Sequence, residues 1–222
     1  MQNKWLVPVG VLALVIGVYL ASTLGQGGSL EGNNSSSLQS QTKFLHWYPE
    51  PRKLADFEIT QHNQMPMNNQ TLAGKWTLAF VGYTFCPDIC PVTLAEINKV
   101  YPDLKQVAAE SPLQVWFLSV DPKRDTLERL NEYVSYFNPE FIASTGEHAQ
   151  LFPLVRSMGM MYSIAGATDD PNYLVDHSAS IVVINPNGHV IGRFKPVHKP
   201  GQLATSDMQQ LLHDLPLLLT SS

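Results

Sequence analysis

The sequence predicts an α/β fold in which a mixed β-sheet carries helices on both faces, and three observations predict it. Trp76–Tyr83 and Val115–Val120 are short, continuous apolar runs, as strands buried on both sides require. A helical pattern lies between them and another follows. Beyond these, Asn185-Pro186-Asn187-Gly188 joins Ser180–Ile184 to Val190–Phe194 as a hairpin. The order β-α-β-α, then hairpin, then α, implies a sheet of mixed direction. The thioredoxin fold has this plan.

The chain starts differently. Residues 5–24 carry no charge and are rich in Val, Leu and Ile. As a helix rising about 1.5 Å per residue they would cover a bilayer core of roughly 30 Å. Residues 1–4 contain Lys4, which the positive-inside tendency keeps in the cytoplasm. The expectation is one transmembrane helix in the cytoplasmic (inner) membrane, with the remainder facing the periplasm or its equivalent. A cleaved signal peptide with Val9–Leu20 as its apolar region is the alternative, and it exports the domain too. Residues 25–43, with Gly-Gly, Asn-Asn and Ser-Ser-Ser, read as a flexible linker. The folded domain is expected over 44–222.

Within that domain Leu94, Ile97, Val100, Leu104 and Val107 fall three or four apart, predicting a helix over Pro91–Glu110. Pro102 should kink or break it. Asp125 precedes Glu128 by three residues, a capping-box spacing that opens a helix through Phe137. His148–Ser157 has a helical pattern. Ser206–Leu219 reads as a closing helix that Pro216 could stop early.

With 222 residues, 44% of them hydrophobic and 15% charged, the chain can bury a real core. A net charge of −5 with scattered Lys and Arg offers no basic face, which excludes nucleic acid as a partner. The two cysteines, Cys86 and Cys90, sit four apart, too few and too close for a disulfide framework. A bridge closing so short a loop would remove little chain entropy.

The pair stands where a buried strand meets a helix, in Gly82-Tyr-Thr-Phe-Cys86-Pro-Asp-Ile-Cys90-Pro91. Pro91 suits a first helical turn. Thiols there lie near the positive end of the helix dipole, which favours thiolate. One turn of separation puts their Cβ atoms about 5–6 Å apart, close enough to share a metal ion or to oxidise together. His177, in Val175-Asp-His-Ser-Ala179 just before a predicted strand, could approach the start of that helix. A histidine so placed is more often a surface residue, so the pattern alone leaves its role open. Two thiolates and an imidazole would suit Cu(I), or Cu(II) with a further ligand, while structural zinc prefers a fourth protein ligand. Asp88 and Asp176 are read as loop carboxylates outside the first shell.

Four segments together resemble the Sco family of copper-binding proteins, which help assemble cytochrome c oxidase. They are GYTFCPDICP at 82–91, SVDPKRDT at 119–126, VDHSA at 175–179 and NPNG at 185–188. The resemblance implies copper, as Cu(I) or Cu(II), held by Cys86, Cys90 and His177. It implies a copper chaperone whose partner is the copper-acceptor subunit of the oxidase, and it leaves the copper donor unnamed. The same residues would serve a thiol-disulfide oxidoreductase with Cys86 and Cys90 as its redox pair. A peroxidase of the peroxiredoxin class fits poorly, because the spacing around Thr84 and Cys86 does not match. Asp121 is read as a turn residue, and His62, Met65 and Met67 as a polar loop rather than a second copper site.

Overall fold

The computed structural model describes residues 37–108, 110–165, 168–201 and 203–220. The expected membrane span at 5–24, and the linker up to residue 36, lie outside the described residues. Among the described residues no helix is long and apolar enough to cross a membrane. The chain divides into Met1–Ser40 and Gln41–Ser222, and the fold below is that of the second unit.

Its strands are β1 (His46–Lys53), β2 (Glu58–Gln61), β3 (Pro66–Asn68), β4 (Trp76–Gly82), β5 (Leu113–Ser119), β6 (Ile142–Thr145), β7 (Tyr162–Ala165), β8 (Leu174–His177), β9 (Ile181–Ile184), β10 (His189–Phe194), β11 (Pro196–Val197) and β12 (Thr205–Ser206). The helices are α1 (Asn69–Leu72), α2 (Ile89–Val107), α3 (Leu127–Phe137), α4 (His148–Ser157) and α5 (Met208–Leu219). Eight strands form one sheet in the order β1-β10-β9-β4-β5-β6-β2-β3. The two predicted core strands are its centre, parallel and in register from Trp76↔Leu113 to Gly82↔Ser119, with every residue buried. β6 continues the parallel set, and β9 pairs antiparallel to β4. This is the mixed thioredoxin-like sheet that the sequence predicts.

The hairpin β9–β10 turns where Asn-Pro-Asn-Gly was read. Gly188 takes φ +74°, a left-handed conformation open to glycine, and its N–H donates to the Asn185 carbonyl at 2.9 Å. β1 lies on the sheet edge, where Pro49 and Pro51 cost no ladder bonds that matter.

Three expectations are corrected. Pro102 does not break α2, which runs unbroken through it. Val100, Tyr101 and Leu104 are buried around it, and the Tyr101 hydroxyl donates to the Leu113 carbonyl at 3.1 Å, so packing holds the last turn in place. Pro216 likewise fails to stop α5, whose Leu215, Leu218 and Leu219 are buried; residues 205–206 are strand β12 instead. The Asp125–Glu128 capping box is absent. Thr126 caps α3 by accepting from the Arg129 N–H, while Asp125 turns inward.

Asp214 on α5 ties down the start of the domain. Its fully buried carboxylate accepts the backbone N–H groups of Lys43 at 3.0 Å and of Phe44 and Leu45 at 2.6 Å, and His213 Nδ1 meets it at 2.7 Å. A buried carboxylate needs this many donors to stay ionised.

Candidate metal centre

Strand β4 ends at Gly82 directly beneath the cysteines. A Cβ at Gly82 would come within 2.6 Å of Cys90 Sγ and 2.8 Å of Phe117 Cε2, so only glycine lets the strand pass this close. The loop then carries Tyr83, Thr84, Phe85 and Cys86 to α2, which opens without a side-chain cap on its Asp88 end. A helix start leaves its first N–H groups without helical partners. One of them, the Cys90 N–H, points at Cys86 Sγ at 3.5 Å.

The loop is held from behind by Asp125. Its buried carboxylate accepts from the Thr84 N–H at 2.9 Å, the Thr84 hydroxyl at 2.6 Å and the Ser119 hydroxyl at 2.6 Å. Arg129 Nε also donates to Thr84 Oγ1 at 2.6 Å. Burial raises the Asp125 pKa in spite of these donors, and nearby Asp121 raises it further.

His177 reaches the site as the last residue of β8, not from a loop before β9 as the sequence suggested. Its ring meets Phe80 and Tyr83 edge-on, with centroids 6.0 Å away in both cases. Nδ1 faces the Ser178 carbonyl at 3.4 Å, and Nε2 lies 3.4 Å from Cys90 Sγ. A proton on Nε2 donates toward the sulfurs, and a proton on Nδ1 instead leaves Nε2 free to bind a metal ion. Cys86 Sγ, Cys90 Sγ and a His177 ring nitrogen all fall within 4.8 Å of one another. Among the described residues Asp88 and Asp176 do not join this group, and both are exposed. His62 and the two methionines near it do not join it either: Met67 is buried, Met65 is exposed, and the His62 ring accepts the Ala143 N–H.

The two thiols differ sharply. Both are free, with Cys90 fully buried and Cys86 half-buried. A hydrogen bond from the Cys90 thiol, against some burial and helped by His177 and the N–H groups of Cys90 and Asp88, pulls the Cys86 pKa down to about 3. Burial pushes the Cys90 pKa well above that of an ordinary thiol, and the neighbouring Cys86 adds to it. Cys86 is therefore the thiolate and Cys90 the protonated partner. In the reduced protein, iodoacetamide is expected to alkylate Cys86 first, at a rate that stays flat from about pH 5 to about pH 8. A rate climbing with pH as for an ordinary thiol, followed by mass spectrometry of each cysteine, would contradict this assignment.

Two soft sulfurs and one imidazole make a donor set suited to Cu(I), and to Cu(II) with an added ligand. The sequence pattern pointed to Cys86 and Cys90, and the family resemblance added His177. The pattern did not point to Gly82 or to Phe80 and Tyr83, nor to the inward role of Asp125, because these act through space on residues distant in the chain.

Comparison with known proteins follows the same lines. The family model SCO1/SenC matches residues 48–213. The mitochondrial SCO1 homolog of Homo sapiens is 30% identical over 150 residues, covering 68% of this chain and 50% of that protein, so the chain spans about half of that relative's length. Arabidopsis thaliana ScoI, solved with copper bound, is 30% identical with a TM-score of 0.59, over 66% of this chain and 89% of that one. Apo Sco1 from Thermus thermophilus is 29% identical with a TM-score of 0.66, over 80% of this chain and 98% of that one. With most of its length matched by the family model and its sheet shared with these structures, the chain belongs to the SCO1/SenC family.

Proposed function

We propose that the chain binds copper through Cys86 Sγ, Cys90 Sγ and His177 Nε2 and acts as an assembly factor of cytochrome c oxidase. In this reading it passes the metal to the dinuclear copper centre of the oxidase's copper-acceptor subunit. The observation that carries the proposal is the convergence of three such donors, one from the loop before α2, one from its first turn and one 87 positions beyond Cys90. Sco proteins are described as cytochrome c oxidase assembly proteins, and a relative of the same family has been solved with copper bound. Release would proceed by ligand exchange, with acceptor thiolates replacing Cys86 and Cys90 in turn. Residues 5–24 would anchor the chain in the inner membrane and place the site on its outer side.

The test is metal analysis of the reduced protein. It should take up one copper per chain with sulfur-to-copper charge-transfer absorption. Replacing His177 by Ala should weaken copper retention by about tenfold or more, measured by chelator competition, while both thiols stay oxidisable. Unchanged affinity would refute the three-donor site.

The unequal thiols favour a second reading, reduction of a disulfide on the acceptor. The Cys86 thiolate would attack one target sulfur and displace the other as thiolate. Cys90, on losing its proton, would then attack Cys86 and free the target. The chain ends as a Cys86–Cys90 disulfide, and two electrons pass to the target. This reading prevails if the acceptor matures with reduced His177→Ala protein kept free of copper by a chelator.

A further inference from the structure

His177 does not belong to the sheet whose strand β4 leads into the cysteine loop. β7 and β8 form a two-stranded sheet of their own, with Tyr162 opposite His177, so among the described residues no ladder bond fixes this arm against β4. Tyr162, Tyr173 and Val175 pack into the core. Such apolar contacts are non-directional and do not by themselves set where the arm lies along the sheet.

Directional contacts to the arm come from three places: His148 Nδ1 on α4 meets the Tyr162 hydroxyl at 2.8 Å, the Val175 backbone bonds the Tyr83 hydroxyl, and the segment just after β5 supplies the rest. Arg124 Nε donates to Asp121 Oδ2 at 2.5 Å, and Nη1 donates to the Pro171 carbonyl at 2.9 Å. The same guanidinium lies 3.5 Å from the Tyr173 ring centroid. The Tyr173 hydroxyl closes the circuit by donating to Asp121 Oδ1, and Lys123 Nζ donates to the Thr168 carbonyl at 2.7 Å. The Arg124 side chain is only 10% exposed and that of Asp121 2%. Arg124 also touches the other half of the site, over Phe85 at 4.7 Å and Tyr83 at 5.6 Å. One buried guanidinium thus bridges the loop that carries Cys86 and the arm that carries His177.

We infer that Arg124 is a positioning residue which registers His177 over the cysteine pair. This rests on the copper site proposed above. The planar fork is essential, since it bonds Asp121 and Pro171 at once while stacking on Tyr173, and an ammonium cannot do all three. Arg124→Lys keeps the positive charge beside buried Asp121, so the variant tests geometry and not charge.

The experiment measures Cu(I) affinity by chelator competition for wild type, Arg124→Lys, His177→Ala and the double variant. Arg124→Lys should weaken copper binding about fivefold when His177 is present and by less than about twofold when it is absent. Cu(II) spectra of Arg124→Lys should show weakened nitrogen hyperfine coupling with the sulfur charge-transfer band retained. Equal losses in both backgrounds overturn the inference, because they would mean general damage to the fold. So does wild-type affinity in Arg124→Lys beside a weakened His177→Ala, which spares the copper site itself. A His177→Ala protein as tight as wild type removes the copper site and this inference together. If Arg124→Lys fails to fold by circular dichroism, Tyr173→Phe, which removes one hydroxyl, is put through the same cycle and judged by the same outcomes.

Discussion

Replacing Gly82 by alanine is expected to lower stability by about 1–3 kcal/mol and copper affinity by about tenfold or more. The added methyl would sit 2.6 Å from Cys90 Sγ and 2.8 Å from Phe117. Neither can retreat, because both are fully buried and Phe117 stacks on Phe80 at 6.2 Å. The strain is relieved by lifting the start of α2, which carries Cys90 away from His177. Metal sites tolerate only about 0.2 Å of such drift. Urea unfolding and chelator competition on the same sample check both halves. A variant with wild-type midpoint and wild-type affinity would show that the strand does not need glycine here.

The second large effect concerns Asp125. Asp125→Ala should cost about 3 kcal/mol, since it leaves the Thr84 N–H and two buried hydroxyls without their acceptor. The loop between β4 and α2 should loosen with it, so that amide exchange at Thr84 and Cys86 rises before the rest of the sheet responds. Asp125→Asn, which keeps one acceptor oxygen, should cost less. The pH dependence has a definite sign. The Asp125 pKa is raised in the folded protein, chiefly by burial, so the folded state holds its proton more tightly than the unfolded chain. Its contribution to stability is full below the ordinary aspartate range and declines as pH rises through the raised value. Urea titrations across that window should show the slope in the wild type and lose it in Asp125→Asn. A slope that survives the substitution would assign it to another group.

How much of this was legible in the sequence depends on whether a feature is local. β4 and β5 announced themselves because a strand buried on both faces is apolar at every position. The β9–β10 turn and α4 were equally plain, since each depends on its own residues. β1 escaped notice because its eight residues include two prolines and are mostly exposed. The β7–β8 arm escaped because Met161 and Leu174 face solvent at 73% and 53%, which blurs any alternation. Within the site, Cys86 and Cys90 were visible as a pair on one helix start. His177 depended on family resemblance, for no periodicity links it to Cys90, 87 positions away, or to the more distant Cys86. Asp125 shows how a local signal can mislead. Its spacing to Glu128 imitates a helix cap, yet packing gives the cap to Thr126 and turns Asp125 toward Thr84. The bridging place of Arg124 could not be read at all, because its partners on the arm, Pro171 and Tyr173, are brought to it by the fold.

The carboxylate of Asp214 has a mechanical consequence. Lys43, Phe44 and Leu45 all hang from it, so tension applied through the residues ahead of them loads these bonds in parallel. The edge strand behind them would otherwise unzip one bond at a time. Load reaching residue 43 is therefore delivered to α5 and on to α2, against which it packs, instead of falling on the edge strand.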